Sequence, residues 1–112
     1  MTEQMTAAAT RATLLAERAR LLSSLGEPIE GPGQMTYGSQ AAAATHVFEQ
    51  QRDLAIRDFE HAQLQLVEDA LVGLTDGTYG TCRSCGNAIA VDRLEAIPWA
   101  ATCIGCARNP TR

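Results

Sequence analysis

Two Cys-x-x-Cys pairs near the end of the chain constrain its fold more than any other feature of the sequence. Cys82 and Cys85 form the first pair, Cys103 and Cys106 form the second, and seventeen residues separate them. Two residues between cysteines let both thiolates of a tight turn reach one ion, and a spacer of about 15–20 residues lets a second turn complete a tetrahedron. The spacing therefore predicts one zinc ion bound by all four cysteines.

Two other uses of these cysteines are alternatives: a pair of disulfides, as in a small secreted domain, and a thioredoxin-like redox couple. We expect neither, because no secretory signal precedes the cysteines and no strand–helix context surrounds either pair. Gly86 follows the first pair and Gly105 lies within the second. Both support the metal interpretation, since a chain wrapped around an ion often needs a positive φ, which glycine adopts most readily.

Four thiolate ligands leave no coordination position for water or substrate, so the zinc is expected to be structural. The rest of the sequence contains no assembly of nucleophile, base and orienting group, and no phosphate-binding glycine loop. We therefore expect a protein that is not an enzyme.

The charge of the chain narrows the choice of partner. Its formal net charge is -4, and four thiolates with one dication would take it to about -6. Basic side chains that neutralise phosphates supply most nonspecific affinity for DNA. This chain is acidic and has no basic stripe, so we expect no direct sequence-specific DNA binding. Nothing in the 112 residues reaches the length of a membrane span, which predicts a soluble, cytoplasmic protein without membrane contact.

Upstream of the cysteines, the apolar residues recur with the period of a helix. Over about residues 2–25 they form one seam with steps of three and four: Met5, Ala8, Ala12, Leu15, Ala19 and Leu22. Over about residues 39–75 they form a second seam: Phe48, Ala55, Phe59, Ala62, Leu66, Ala70 and Leu74. Helices this one-sided are unstable alone, so the sequence predicts an antiparallel coiled-coil hairpin with Phe48 and Phe59 in its core.

Residues 26–38 should form the tip of this hairpin, because they contain four glycines and two prolines. The segment is longer than most connections between helices, and such loops are either functional or disordered. Ser39 is a candidate cap for the second helix, and Asp76 with Gly77 should end it. The expected fold is mainly α, with a helical hairpin over residues 1–76 and a four-cysteine zinc finger over residues 77–112.

Within the finger, a small core should form around the aromatic residue between the two cysteine pairs. We expect Trp99 to cap a core of Ile89, Leu94 and Ile97. Tyr79 and Ile104 should pack the finger against the end of the second helix.

Four stretches with fixed spacing carry a resemblance to a known family. They are Leu74-Thr-Asp-Gly-Thr-Tyr-Gly-Thr-Cys82, Cys85-Gly-Asn-Ala-Ile89, Arg93-Leu-Glu-Ala-Ile-Pro98 and Cys103-Ile-Gly-Cys106. Together they resemble the zinc finger of the DksA/TraR family over residues 74–107, and residues 48–55 resemble the family's second coiled-coil helix. The resemblance implies a bacterial transcription factor that binds RNA polymerase, with its hairpin inserted into the secondary channel. Arg93 and Glu95, in the third stretch, either pair within the finger or dock it to a partner.

The expected hairpin tip departs from the family's pattern. The resemblance implies that members acting at the catalytic centre of the polymerase carry an Asp-x-x-Asp-x-Ala signature at the tip. The carboxylates of this signature provide the effect on the polymerase. The matching run here is Ser39-Gln-Ala-Ala42-Ala-Ala44, which keeps the last alanine and has neither aspartate. Glu27 and Glu30, in the loop, either replace these carboxylates in a different geometry or are solvated loop charges.

Two functions follow from this sequence. The first is a small regulator of the DksA/TraR type that binds RNA polymerase, as a monomer or as a dimer paired through exposed seam residues of the longer helix. The second is a non-catalytic, zinc-stabilised interaction or assembly protein that uses the same scaffold with a non-polymerase partner.

Overall fold

A computed structural model describes residues 6–26 and 40–109, without the side chains of residues 40–42. These ranges contain four helices: α1 (Ala7–Leu25), α2 (Gln40–Asp76), α3 (Val91–Ala96) and α4 (Ile104–Arg108). Their only β pairing is one antiparallel bridge between Thr81 and Ala88. The mainly α fold predicted from the sequence is therefore confirmed.

Helix α1 starts later than expected, at Ala7, behind an N-cap that the apolar pattern does not indicate. The Thr6 hydroxyl accepts a hydrogen bond of 3.1 Å from the Ala9 backbone N–H, and Thr6 itself has extended backbone angles. Such a side-chain cap satisfies one of the free N–H groups at a helix start. Residues 1–5 lie outside the described ranges.

Helix α2 is 37 residues long, about 55 Å at 1.5 Å per residue. It ends at Asp76, and the following Gly77 has φ of +88°. Three successive backbone N–H groups, from Gly77 to Tyr79, donate to the Gly73 carbonyl oxygen at 2.9–3.1 Å. The Asp76 carboxylate also accepts from the backbone and hydroxyl of Thr78, at 3.1 and 2.7 Å. A glycine in the left-handed region closes the helix as expected.

The two long helices pack against each other around Leu14, Leu21 and Val67, which are fully buried. Around them lie partly buried residues of α2 and of the finger: Leu64, Ala70, Leu71, Leu74, Tyr79 and Trp99. The seam predicted for α1 was wrong by one residue, because Leu15 and Leu22 are 48% and 43% exposed. One residue is about 100° of helix rotation, which turns an apolar stripe from the partner helix towards solvent.

The seam predicted for α2 was also wrong over most of its length. Phe48 and Phe59, expected in the hairpin core, are each 68% exposed. Ala55 and Ala62 are exposed as well. From Val67 onwards the predicted and observed seams converge, since Ala70 and Leu74 do pack against the buried cluster.

Polar side chains replace apolar ones at several positions between α1 and α2. Arg18 Nε lies 3.2 Å from Glu68 Oε2, Gln63 Nε2 donates to Glu17 Oε2 at 2.6 Å, and Ser24 Oγ donates to Glu60 Oε1 at 2.8 Å. Arg18 pairs with Glu68, whereas Ser24, later in α1, pairs with Glu60, earlier in α2. The two helices are therefore antiparallel. These hydrogen bonds satisfy polar groups that a purely apolar seam would exclude.

The finger has a core of its own, made of Cys82, Ile89, Leu94 and Cys106. Tyr79, Ala100 and Cys103 pack against it. The role expected for Trp99 was wrong, because Trp99 packs against the hairpin cluster instead. Ile104 is 55% exposed, so the expectation that it packs the finger against α2 was also wrong. Tyr79 contacts both clusters, in agreement with its expected position between hairpin and finger.

Candidate metal centre

The first cysteine pair lies in a tight turn closed by backbone hydrogen bonds. Cys82 N donates to Asn87 O at 2.8 Å, and Gly86 N donates to Cys82 O at 2.8 Å. Gly86 has φ of +79°, a conformation that glycine adopts without strain, as expected. The sulfurs of Cys82, which is buried, and Cys85, which is exposed, both belong to one cluster with the second pair.

The second pair lies at the start of α4. Cys103 is the N-cap residue of this short helix, and its carbonyl oxygen accepts from Ala107 N at 2.9 Å. Cys106 follows three residues later, about one helical turn on, which brings both sulfurs to one side. Gly105 lies inside the helix without a positive φ, so the expectation of a left-handed glycine there was wrong.

One backbone hydrogen bond holds the two pairs together. Arg83 N, inside the first pair, donates to Ala101 O, just before the second pair, at 2.9 Å. All four sulfur atoms lie within 4.8 Å of one another, and the sulfurs of Cys85 and Cys103 are 3.8 Å apart. Zinc–sulfur bonds of about 2.3 Å in a tetrahedron require sulfurs about 3.8 Å apart. The four cysteines are free thiols, and 3.8 Å is far beyond the roughly 2.05 Å of a disulfide bond.

The charge balance of the four thiols also fits a cation. A hydrogen bond from the Cys103 backbone lowers the pKa of Cys82 to about 6. Interaction with the neighbouring Cys103 sulfur, together with burial, raises the pKa of Cys106 to about 12. The raised pKa of Cys106 disfavours its thiolate in the absence of a cation, whereas a divalent ion offsets the repulsion among neighbouring thiolates.

The metal centre is connected to the hairpin by the residue that follows its first cysteine. Arg83 Nη1 lies 3.6 Å from Asp69 Oδ2 on α2. Both side chains line a cavity of about 140 Å³ between α2 and the finger, which Trp99 also borders. Neither Arg83 nor Asp69 was singled out from the sequence, since residues fourteen positions apart on different elements leave no periodic signal.

The two residues expected either to pair within the finger or to dock it have different environments. Arg93 is half-buried, and its Nε donates to the Thr102 carbonyl oxygen at 2.9 Å. This hydrogen bond supports the segment that leads into Cys103. Glu95 is exposed on α3. Arg93 therefore has a structural partner within the finger, and the side chain of Glu95 faces solvent.

Most of the residues expected at the hairpin tip lie outside the ranges that the structure describes. Glu27, Glu30 and Ser39 lie outside the described residues. Ala42 lies in α2, and Ala44 is exposed on the same helix. None of the helices in residues 6–26 and 40–109 combines the length and the apolar character needed to cross a membrane.

Comparison with known families identifies the finger. Residues 77–110 match the family described as "Prokaryotic dksA/traR C4-type zinc finger". With this match, the four clustered cysteines confirm the predicted cofactor, one structural zinc ion held by Cys82, Cys85, Cys103 and Cys106.

Relatives extend the similarity upstream of the finger. An uncharacterized protein of Aquifex aeolicus (strain VF5) is 32% identical over 88% of this chain and 72% of its own length. The RNA polymerase-binding transcription factor DksA of Escherichia coli (strain K12) is 41% identical over 48% of this chain and 36% of its own. The uncharacterized protein YteA of Bacillus subtilis (strain 168) is 39% identical over 53% of this chain, and the match spans only 25% of YteA.

A solved structure matches nearly the whole chain. It is the transcription factor DksA2 from Pseudomonas aeruginosa, with a TM-score of 0.71 and 26% sequence identity. The match covers 96% of this chain and 84% of the DksA2 chain. This agreement confirms a helical hairpin followed by a small C-terminal domain, and the four clustered cysteines with the family match make that domain a four-cysteine finger.

Proposed function

The chain belongs to the DksA/TraR family of C4-type zinc finger proteins, and from this we propose that it is a small, non-enzymatic regulator of bacterial transcription that binds RNA polymerase in the cytoplasm. The relative DksA of E. coli carries polymerase binding in its name. The acidic charge of this chain favours a protein partner over the DNA backbone.

The observation that carries the proposal is the joint between the finger and the two-helix arm. Tyr79 packs against both cores, Trp99 of the finger packs against the hairpin cluster, and Arg83 pairs with Asp69 across the gap. A finger docked on a partner would therefore hold α2 in one direction. Such an anchor with a projecting arm suits a protein that inserts its arm into the secondary channel of the polymerase.

Zinc supplies the cross-link that holds the finger together. Over the described part of the finger, residues 77–109, the core contains four buried residues, two of which are the zinc ligands Cys82 and Cys106. So small a core cannot offset the chain entropy lost on folding without the metal. The four thiolates fill the coordination sphere, so the metal has no position for a substrate.

The tip distinguishes this chain from relatives that act on the catalytic centre. Ser39 and Ala42 stand where the family signature has its two aspartates. We infer that the arm enters the channel without these carboxylates, and that Glu27 and Glu30 are the acidic groups available near it. The finger would contribute Arg93 and Glu95 to docking, with Arg93 acting through the Thr102 segment that it supports.

The test is binding of the zinc-loaded protein to purified RNA polymerase core enzyme. We expect micromolar or tighter binding that excess duplex DNA does not compete away. Replacing Glu27 and Glu30 together by alanine should leave anchoring intact and change the effect on transcription in vitro. A double variant Asp58→Ala and Asp92→Ala removes the same charge from exposed sites elsewhere and should change neither property.

Absence of binding by the folded, zinc-loaded protein would refute the polymerase proposal. The missing tip aspartates favour one specific alternative in that case, an interaction or assembly protein that uses this scaffold with a non-polymerase partner. A tagged pull-down that recovers one abundant, stoichiometric partner would identify it.

A further inference from the structure

In the first half of α2 the polar residues face the inside of the hairpin and the large apolar residues face outwards. The seam that packs on α1 can be followed back from Val67 through Leu64 at steps of three and four, the period of a coiled coil. Before Leu64 the half-buried positions of this seam are all polar: His46, Gln50, Asp53, Arg57 and Glu60. The large apolar side chains of the same stretch are 45–68% exposed: Val47, Phe48, Leu54, Ile56 and Phe59. This is the reverse of the pattern of an amphipathic helix in water.

This stretch extends past the described end of α1. Ser24 Oγ, one residue before the last residue of α1, donates to Glu60 Oε1 at 2.8 Å, so α1 ends level with about Glu60. Residues 43–59 of α2 project beyond this point by about 25 Å at 1.5 Å per residue. We call them the distal arm. Of the six large apolar side chains of α2 that the structure describes as exposed, five lie in the distal arm and the sixth is Val72.

The exposed apolar side chains occupy two faces of the distal arm. The first face carries Phe48 and Phe59, which lie within about 20° of each other at about 100° per residue. The second face carries Val47 and Leu54, again within about 20° of each other. Leu54 is about 140° around the helix from Phe59. An apolar stripe about 100° wide is enough to seat a helix on one neighbour, so two such faces need a partner that curves around the helix.

The distal arm is separate from the joint between α2 and the finger. The residues of α2 that line the cavity against the finger begin at Leu66, and those that pack around the buried hairpin cluster begin at Leu64. Leu64 is five residues, or about 7 Å, beyond Phe59. A partner seated on residues 43–59 therefore leaves the finger and its contacts with α2 in place.

The charges of the distal arm offer little attraction to a partner. Two arginines, at positions 52 and 57, oppose three carboxylates, at positions 49, 53 and 58, which leaves one negative charge. Binding to nucleic acid needs a surplus of basic side chains that neutralise phosphates. Exposed apolar patches mark interaction sites, and the side chains present here suit an apolar protein surface.

We propose that the distal arm is held by an apolar wall of RNA polymerase that curves around α2, with the first face against one side of the wall and the second face against the other. This inference rests on the proposed function and deepens it, since it names the surface of the arm that the polymerase contacts. Transfer of the two faces from water to the wall favours insertion, while the polar seam stays inside the hairpin. The contact needs no tip carboxylate, which agrees with the absence of the two family aspartates from residues 39–44.

The test is isothermal titration calorimetry of the zinc-loaded chain with purified RNA polymerase core enzyme at several temperatures. We expect a negative heat-capacity change of binding, which is the mark of apolar surface removed from water. Phe59→Glu and Leu54→Glu, one on each face, should each weaken binding by about tenfold or more and reduce the heat-capacity change, because burial of an unpaired carboxylate is costly.

A matched control variant separates the distal arm from the rest of α2. Val72 is 60% exposed on the same helix but outside the distal arm, so Val72→Glu should bind like the wild type. Phe59 and Leu54 are exposed in the free chain. Both of their variants should therefore keep the circular dichroism and the melting behaviour of the wild type.

The possible failures are distinguishable from one another. Wild-type affinity in both arm variants, or an equal loss in Val72→Glu, would overturn the apolar contact and leave polymerase binding standing. A loss confined to one arm variant would show a flat partner surface and overturn the curved wall. A dimer that forms without polymerase and that Phe59→Glu dissociates, seen by sedimentation equilibrium, would assign the arm to a second copy of this chain instead. No binding by the wild type would refute the proposed function itself, and this inference with it.

Discussion

The hydroxyl of Tyr79 donates a hydrogen bond of 2.8 Å to the carbonyl oxygen of Pro98. It joins the turn after α2 to the segment between α3 and the second cysteine pair, nineteen residues further along the chain. The neighbouring Trp99 packs against the hairpin cluster, and the ring of Tyr79 contacts the cores of both hairpin and finger. This hydrogen bond therefore lies at the centre of the joint between them.

Removing this hydroxyl should destabilise the protein measurably. Tyr79→Phe keeps the ring and its packing but leaves the Pro98 carbonyl oxygen without its donor. We expect a loss of about 1 kcal/mol in the free energy of unfolding, measured by urea denaturation of the zinc-loaded protein. A variant as stable as the wild type would show that water replaces the hydroxyl at no cost.

The ionisation of Tyr79 should be visible at alkaline pH. Burial raises the pKa of Tyr79 above its ordinary value of 10.0. The folded state thus favours the neutral phenol, and the stability that it contributes is complete below pH 10 and lost as pH rises through the raised pKa. Ultraviolet titration of a Tyr37→Phe variant, in which Tyr79 is the one remaining tyrosine, should give a midpoint above 10. A midpoint at or below 10 would contradict the burial.

Loss of zinc should unfold the finger and leave part of the helical signal. Chelation or Cys82→Ser disrupts a core that consists half of zinc ligands. We expect a lower melting temperature and a changed fluorescence of Trp99, the one tryptophan of the chain, which rests on the hairpin. Unchanged melting and fluorescence after chelation would show that the metal is dispensable. Ser84→Ala, an exposed change between the same two cysteines, is the control.

Adjacent leucines of α1 should respond very differently to truncation. Leu14 is fully buried, so Leu14→Ala should cost about 2–5 kcal/mol in the free energy of unfolding. Leu15 is 48% exposed, so the same change there should cost less than about 1 kcal/mol. Chemical denaturation of both variants decides which leucine belongs to the seam, and the reverse order would reinstate the seam predicted from periodicity.

The metal centre could be predicted from the sequence because its chemistry is local. Two residues between cysteines, and seventeen between the pairs, leave few arrangements other than one tetrahedral site. The end of α2 was equally readable, since Gly77 takes the left-handed conformation that closes a helix.

The hairpin seam could not be predicted, because two stripes on α1 have the same spacing. Leu14 and Leu21 are seven residues apart, and so are Leu15 and Leu22. The choice between them depends on interhelical hydrogen bonds such as that from Gln63 to Glu17. A count of apolar residues treats these polar positions as solvent-facing, although their hydrogen bonds place them between the helices.

The unbroken length of α2 makes it a lever. A rotation of one degree about Gly77 moves the far end of a helix of about 55 Å by about 1 Å. Three contacts at the C-terminal end of α2 therefore govern the direction in which the helix projects from the finger. They are the contacts of Tyr79, of Trp99 and of the Arg83–Asp69 pair. Substitutions close to the metal would then shift the position of Ala44 at the opposite end without touching it. The range of angles that the base allows to α2, more than the length of α2, would decide which channel the arm can enter.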